Sequence, residues 1–209
     1  MSDTPIDVFI DLPSFPGPVQ AGRLWSHFRK GRESASFEYN KEWLANPHRF
    51  ALEPLLPLAD GTFHTNPGQS VFGEIGDSTP DRWGRILMRR AELARARTAN
   101  ESPHTLSELD YLLRVNDEAR QGALRFSQDG GQSFCAPPGS TPIPPLVNLS
   151  RLLHAADHFC RDDENAEDLR LLLAPGSSLG GARPKASVKD KKGNLCIAKF
   201  PRYDDEYNV

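Results

Sequence analysis

The sequence predicts an α+β fold in two parts, and three observations carry that reading. The first forty residues alternate apolar and polar side chains in short runs, the pattern of half-buried strands. Residues 79–97 instead repeat apolar side chains at helical spacing. From 127 to 145 the composition shifts to Gly130, Gly131, Pro137, Pro138, Gly139, Pro142, Pro144 and Pro145, which reads as a linker. The expected organisation is therefore a β-rich N-terminal subdomain over 1–126, a Pro/Gly-rich linker over 127–145, and a second part over 146–209.

Each element has its own local cause. Ile6 to Ile10 alternates as I-D-V-F-I, Ala21 to Trp25 is a short strand-like run, and Ser34 to Tyr39 is another. Pro13, Pro16, Gly17 and Pro18 mark the first turn and Lys30-Gly31 the second. Asn40 is placed to cap a short helix through Trp43 and Leu44, and residues 47–67 read as Pro-rich and irregular. For the helix over 79–97, Thr79 is the expected N-cap with Pro80 at the first helical position. Trp83, Ile86, Leu87 and Leu93 are its expected apolar face. A helix over Thr105–Arg114 and a short strand over Gly122–Phe126 follow. Beyond the linker come helices near 147–160 and 165–173. A hairpin closes the chain, with strands Lys185–Val188 and Leu195–Phe200 around a turn at 190–194.

Bulk composition narrows the function classes. The 209 residues are 38% hydrophobic and 25% charged with a net charge of −3, an ordinary globular balance. A slightly acidic chain exerts no general pull on nucleic acid, so DNA contact would require a local basic patch or a partner. The three cysteines, Cys135, Cys160 and Cys196, are odd in number and have neither disulfide-framework nor zinc spacing. Residues 1–11 are acidic and lack the order of a signal peptide, and no apolar run approaches bilayer length. A cytoplasmic protein without membrane attachment is expected.

The chemistry concentrates in Ser177-Ser-Leu-Gly-Gly-Ala-Arg-Pro-Lys-Ala186 and Ile197-Ala-Lys-Phe200. Paired glycines allow a backbone to approach a ligand closely, and successive N–H groups in such a turn can surround phosphate oxygens. Kinases lay a Gly-rich loop over the nucleotide phosphates and set a lysine on a nearby strand to neutralise them. Lys199 stands on the far strand of the expected hairpin, flanked by apolar residues. Either its ammonium meets an anion such as phosphate, or it lies on the solvent face of an alternating strand.

Several segments resemble, in order, the HipA family of bacterial serine/threonine kinase toxins. They are Gly22-Arg-Leu24, Phe37-Glu-Tyr39 with Trp43, Leu55-Leu-Pro57, Pro80-Asp-Arg-Trp-Gly-Arg85, Gly122-Ala-Leu-Arg-Phe126, Ser178-Leu-Gly-Gly-Ala-Arg-Pro-Lys185 and Ala198-Lys199-Phe-Pro201. The resemblance implies that the second part begins a kinase-like N-lobe. It assigns Gly180, Gly181, Ala182, Arg183, Pro184 and Lys185 to the nucleotide loop and Lys199 to the ATP-contacting lysine. Ser178 falls at the autophosphorylated serine, with Ser177 beside it as the alternative. It further implies ATP and Mg as cofactors and a helix-turn-helix antitoxin as partner, through which DNA is mainly reached. The implied protein substrate is one such as an aminoacyl-tRNA synthetase. Phosphoryl transfer also needs a catalytic aspartate, an asparagine and a magnesium aspartate. In this family those lie in a helical C-terminal lobe, and no catalytic residue is assigned within 1–209. The chain is thus expected to be an N-terminal part of such a kinase, inactive alone. The rival expectation is a naturally short, non-catalytic regulator that binds an antitoxin or a separate kinase lobe.

Four further signals carry less. His154-Ala-Ala-Asp-His158 has the spacing of a zinc helix but Ala155 where a general base would stand, so no metal site is expected. Residues 81–97 hold six arginines against Asp81 and Glu92, a face suited to DNA phosphates or an acidic partner, or to local ion pairs, which is the preferred reading. Pro80-Asp81-Arg82-Trp83 reads as a capped helix with a buried tryptophan. Asp162, Asp163 and Glu164 sit where a helix N-terminus favours negative charge.

Overall fold

The computed structural model describes residues 5–134, 148–173 and 183–201. It is a mixed α/β structure with a β-rich N-terminal antiparallel sheet followed by helices. The chain forms two compact units. The first comprises residues 1–79, 107–113 and 121–135, and the second residues 80–106, 114–120 and 136–209, so the backbone passes between them more than once.

In the first unit, β1 (Ile6–Ile10), β2 (Val19–Arg29), β3 (Arg32–Tyr39), β4 (Thr62–His64) and β5 (Leu124–Ser127) form one antiparallel sheet of order β4-β3-β2-β1-β5. The Lys30-Gly31 turn joins β2 to β3 with both residues at positive φ, as a two-residue type I′ hairpin requires. β1 is buried along its whole length between β2 and β5. Ile6, Val8 and Ile10 join Leu24, Phe37, Tyr39, Phe126 and the buried Trp43 in the core. Trp43 lies on α1 (Lys41–Ala45), which Asn40 caps by accepting from Glu42 N–H at 3.0 Å, as the sequence predicts. The stretch 47–67 holds one short strand, β4, that its prolines and glycines conceal. The single-turn α2 (Gly73–Gly76) was likewise not expected. The helix expected over 105–114 is shorter, α4 (Glu108–Leu113). Its first N–H groups, at Glu108 and Leu109, donate to the Glu33 carboxylate on β3 at 2.9 and 3.2 Å.

The second unit is built on α3 (Arg82–Ala99), α5 (Leu149–Cys160), α6 (Ala166–Leu173) and the hairpin β6 (Lys185–Lys189)–β7 (Leu195–Lys199). Trp83, Leu87, Leu152, Ala156, Phe159, Leu172, Val188 and Phe200 form its core. Two details of α3 correct the sequence expectation. Asp81, not Thr79, is the N-cap: its carboxylate accepts from Gly84 N–H at 2.8 Å. Thr79 instead donates its hydroxyl to Gly76 O at 2.6 Å. The buried stripe runs through Leu87, Met88, Glu92 and Ala96, which leaves Leu93 44% exposed. Glu92 can occupy a core-facing position because Arg95, the N–H of His104 and Arg114 all meet its carboxylate.

Candidate functional site

The hairpin of the second unit is fixed at both ends. At its turn, Asp190 accepts from the N–H groups of Lys192 and Asn194 at 2.8 Å each. The side-chain hydrogen bond from Asn194, with these N–H donors, holds its carboxyl below the usual range. At the open end, Phe200 N–H donates to Pro184 O at 2.9 Å. The register between these points sets Lys185 opposite Lys199, Ser187 opposite Ile197 and Lys189 opposite Leu195. Directly opposed residues of an antiparallel pair share a face and lie about 4.5–5.5 Å apart at Cα. The hairpin therefore opens on two facing lysines.

Their surroundings differ. Lys185 is buried, and its ammonium donates to Asp81 Oδ2 at 2.6 Å, with side chains only 6% and 5% exposed. The other oxygen of Asp81 caps α3. Trp83, two residues on, donates its indole N–H to the carbonyl of Lys185 at 3.1 Å and packs edge-on against Phe159. One turn of α3 thus grips the start of β6 by both side chain and backbone. Lys199 lies on the exposed face of β7 beside Leu195 and Ile197, and its ammonium pairs with no carboxylate among the described residues. Arg183, also exposed, enters the hairpin from the N-terminal side. Like charges directly opposite each other destabilise a sheet. Asp81 offsets Lys185, and Lys199 has no carboxylate partner among the described residues. Of the two alternatives the sequence leaves open for Lys199, its strand position is the solvent-facing one.

Of the residues singled out in the sequence, Arg183, Pro184, Lys185 and Lys199 lie at this end of the hairpin. Gly180, Gly181 and Ala182, with Ser177 and Ser178, lie outside the described residues, as does the linker beyond Phe134. Sequence reasoning did not connect Asp81 to Lys185. The two are 104 residues apart, and the only cue was that Pro80–Arg85 and Arg183–Lys185 were both distinctive.

The other features resolve locally. His154 is exposed and His158 contacts Asp168 at 3.1 Å. Among the described residues no group of three His, Cys, Asp or Glu side chains gathers as metal ligands. Cys196 is a free thiol. On α3, Arg90 pairs with Glu164 at 2.8 Å and with Asp162, and lies over the Phe159 ring. Arg95 pairs with Glu92 and Glu101. The acidic run after α5 thus serves Arg90, while Asn165 caps α6 by accepting from the N–H groups of Glu167 and Asp168. An open groove of about 310 Å³ in the first unit has Phe50, Leu52 and Leu124 on its walls, but Glu74 and Asp77 make it unsuited to an anion. No helix among the described residues is long and apolar enough to cross a membrane.

Residues 17–127, more than half of the chain, match the family model described as the HipA N-terminal domain. No curated protein matches the chain.

Proposed function

The chain belongs to the HipA N-terminal domain family, and from that premise we propose that it is the nucleotide-holding part of a HipA-like serine/threonine kinase toxin. In this reading residues 180–185 and Lys199 receive the phosphates of Mg-bound ATP, and Ser178, or Ser177 beside it, is the site of self-modification. A further lobe, in the same polypeptide or another, supplies the catalytic aspartate, the asparagine and the magnesium aspartate that phosphoryl transfer needs. The substrate is a protein of the translation apparatus such as an aminoacyl-tRNA synthetase. A helix-turn-helix antitoxin is the partner that reaches DNA.

The observation that carries the nucleotide reading is the facing pair Lys185 and Lys199, of which Lys185 is paired with Asp81 while Lys199 meets no carboxylate among the described residues. A phosphate group at the open end completes the balance through Lys199. Its contribution when bound is the negative charge that this lysine lacks. The family match supports the wider toxin setting.

The test is equilibrium binding of Mg-ATP to the 209-residue chain and to Lys199→Ala. Removing one charge-assisted hydrogen bond of about 1.5 kcal/mol lowers the affinity about tenfold. Affinity that is unchanged in Lys199→Ala, or no saturable binding at millimolar ATP, ends the nucleotide reading.

A further inference from the structure

We propose that Asp81 is a positioning residue of the anion site, and that it divides the labour between the two lysines: Lys185 is held as an internal cation, and of the two ammonium groups only that of Lys199 meets the phosphate. The inference rests on the reading above that the open end of the hairpin receives nucleotide phosphate.

The argument begins with accessibility. The Lys185 ammonium and the Asp81 carboxylate are in contact at 2.6 Å and nearly sealed from water. Drawing Lys185 toward an external phosphate would strand the Asp81 charge in a dry setting, the costly outcome for a buried ion pair. Asp81 has little room to follow, because its second oxygen is bonded to Gly84 N–H in the first turn of α3. The backbone of Lys185 is held from the same turn by the Trp83 indole. Across the hairpin, Phe200 N–H fixes the carbonyl of the preceding Pro184. Side chain and main chain are thus pinned by three independent bonds.

Lys199 has none of these restraints. It stands opposite Lys185 in the strand register, and like charges directly opposite each other destabilise a sheet. By neutralising Lys185, Asp81 lets Lys199 occupy that position, and the pinned strand start sets where its Cα lies. Asp81 thus acts on the ligand through Lys185 without touching it. Lys185, which motif position alone would place among the nucleotide ligands, gives its charge to Asp81 and its carbonyl to Trp83.

The experiment is a titration of the 209-residue chain with Mg-ATP, following the Nζ shifts of Lys185 and Lys199 by NMR through their ε-methylene protons. Assignments come from Lys→Arg variants. The expected result is a saturable shift at Lys199 and none at Lys185. In Asp81→Asn, which keeps an N-cap acceptor but removes the charge, Lys185 joins the titration, and binding becomes more salt-dependent by about one ionic contact. A Lys185 shift as large as that of Lys199 in the unmodified chain overturns the division of labour while leaving the phosphate reading intact. An Asp81→Asn chain that melts at lower temperature yet recruits no Lys185 signal also overturns it, since Asp81 would then be structural only. Silence from both lysines at saturating ATP overturns the phosphate reading and the inference with it. Should Asp81→Asn not fold, the titration of the unmodified chain decides by itself.

Discussion

Glu92 is the residue whose protonation the fold resists most visibly. Its side chain is 3% exposed in the second unit, and its carboxyl is lowered to about 2, first by the Arg95 hydrogen bond and against the cost of burial. The N–H of His104 and the charge of Arg114 add to the effect. Because the folded value lies below the unfolded carboxylate range, the stability that Glu92 contributes is complete above about pH 4.5. It is lost as pH falls toward 2. Glu92→Gln removes the charge that three donors converge on and should cost about 2 kcal/mol near neutrality. Denaturant melts from pH 7 to pH 2.5 should show the variant's stability falling less steeply than that of the parent chain. Asp81 carries the larger penalty. Asp81→Ala removes the cap of α3 and strands the Lys185 ammonium, for an expected loss of about 3–5 kcal/mol, read as a lower denaturant midpoint.

At the scale of elements, the sheet of the first unit depends on close contact between β2 and β3. A Cβ at Gly22 would lie 2.2 Å from Glu38 O and 2.4 Å from the Phe37 ring. Neither can yield easily, since one is backbone and the other is fully buried in the core. Gly22→Ala should therefore destabilise toward the upper end of the range of about 1–3 kcal/mol for overpacked cores. Faster hydrogen exchange at the β2 and β3 amides is the measurement that locates the damage. The hairpin β6–β7 and helices α5 and α6 were legible in sequence to within a residue or two, because turn residues and apolar spacing are local signals. The short α2 and β4 were not. Each is too brief to develop a period, and β4 exists only because β3 offers it a paired edge.

For the whole molecule, net charge and the state of the arginines point the same way. The chain carries −3 overall, and Arg90 and Arg95 on its most basic helix are already committed to acidic partners. Two of the six arginines between 81 and 97 thus meet carboxylates locally. The chain by itself is expected to bind duplex DNA no better than an unrelated acidic protein at physiological salt. Fluorescence anisotropy of a labelled duplex checks this, and tight, salt-sensitive binding would restore the arginine face as a nucleic-acid surface. The two units have separate cores, around Phe37 and Trp43 in one and around Trp83 and Phe159 in the other. The sequence divided the chain at a change of composition. The compact units gather residues by packing, which lets distant segments such as 80–106 and 183–201 share a core.

What the sequence determined by itself was the α+β class, most strand and helix positions, the Asn40 cap, the closing hairpin and the family. All of these rest on short-range patterns or on motifs that survive being read in one dimension. What only the tertiary structure decided was which charges meet. Lys185 and Lys199 looked alike as lysines near a Gly-rich segment, yet one is sealed against Asp81 and the other is open. The difference arises because a buried charge is tolerable only beside its opposite, and the residue that satisfies Lys185 lies 104 positions away along the chain. No local pattern encodes that pairing; it comes into being when α3 and β6 pack together.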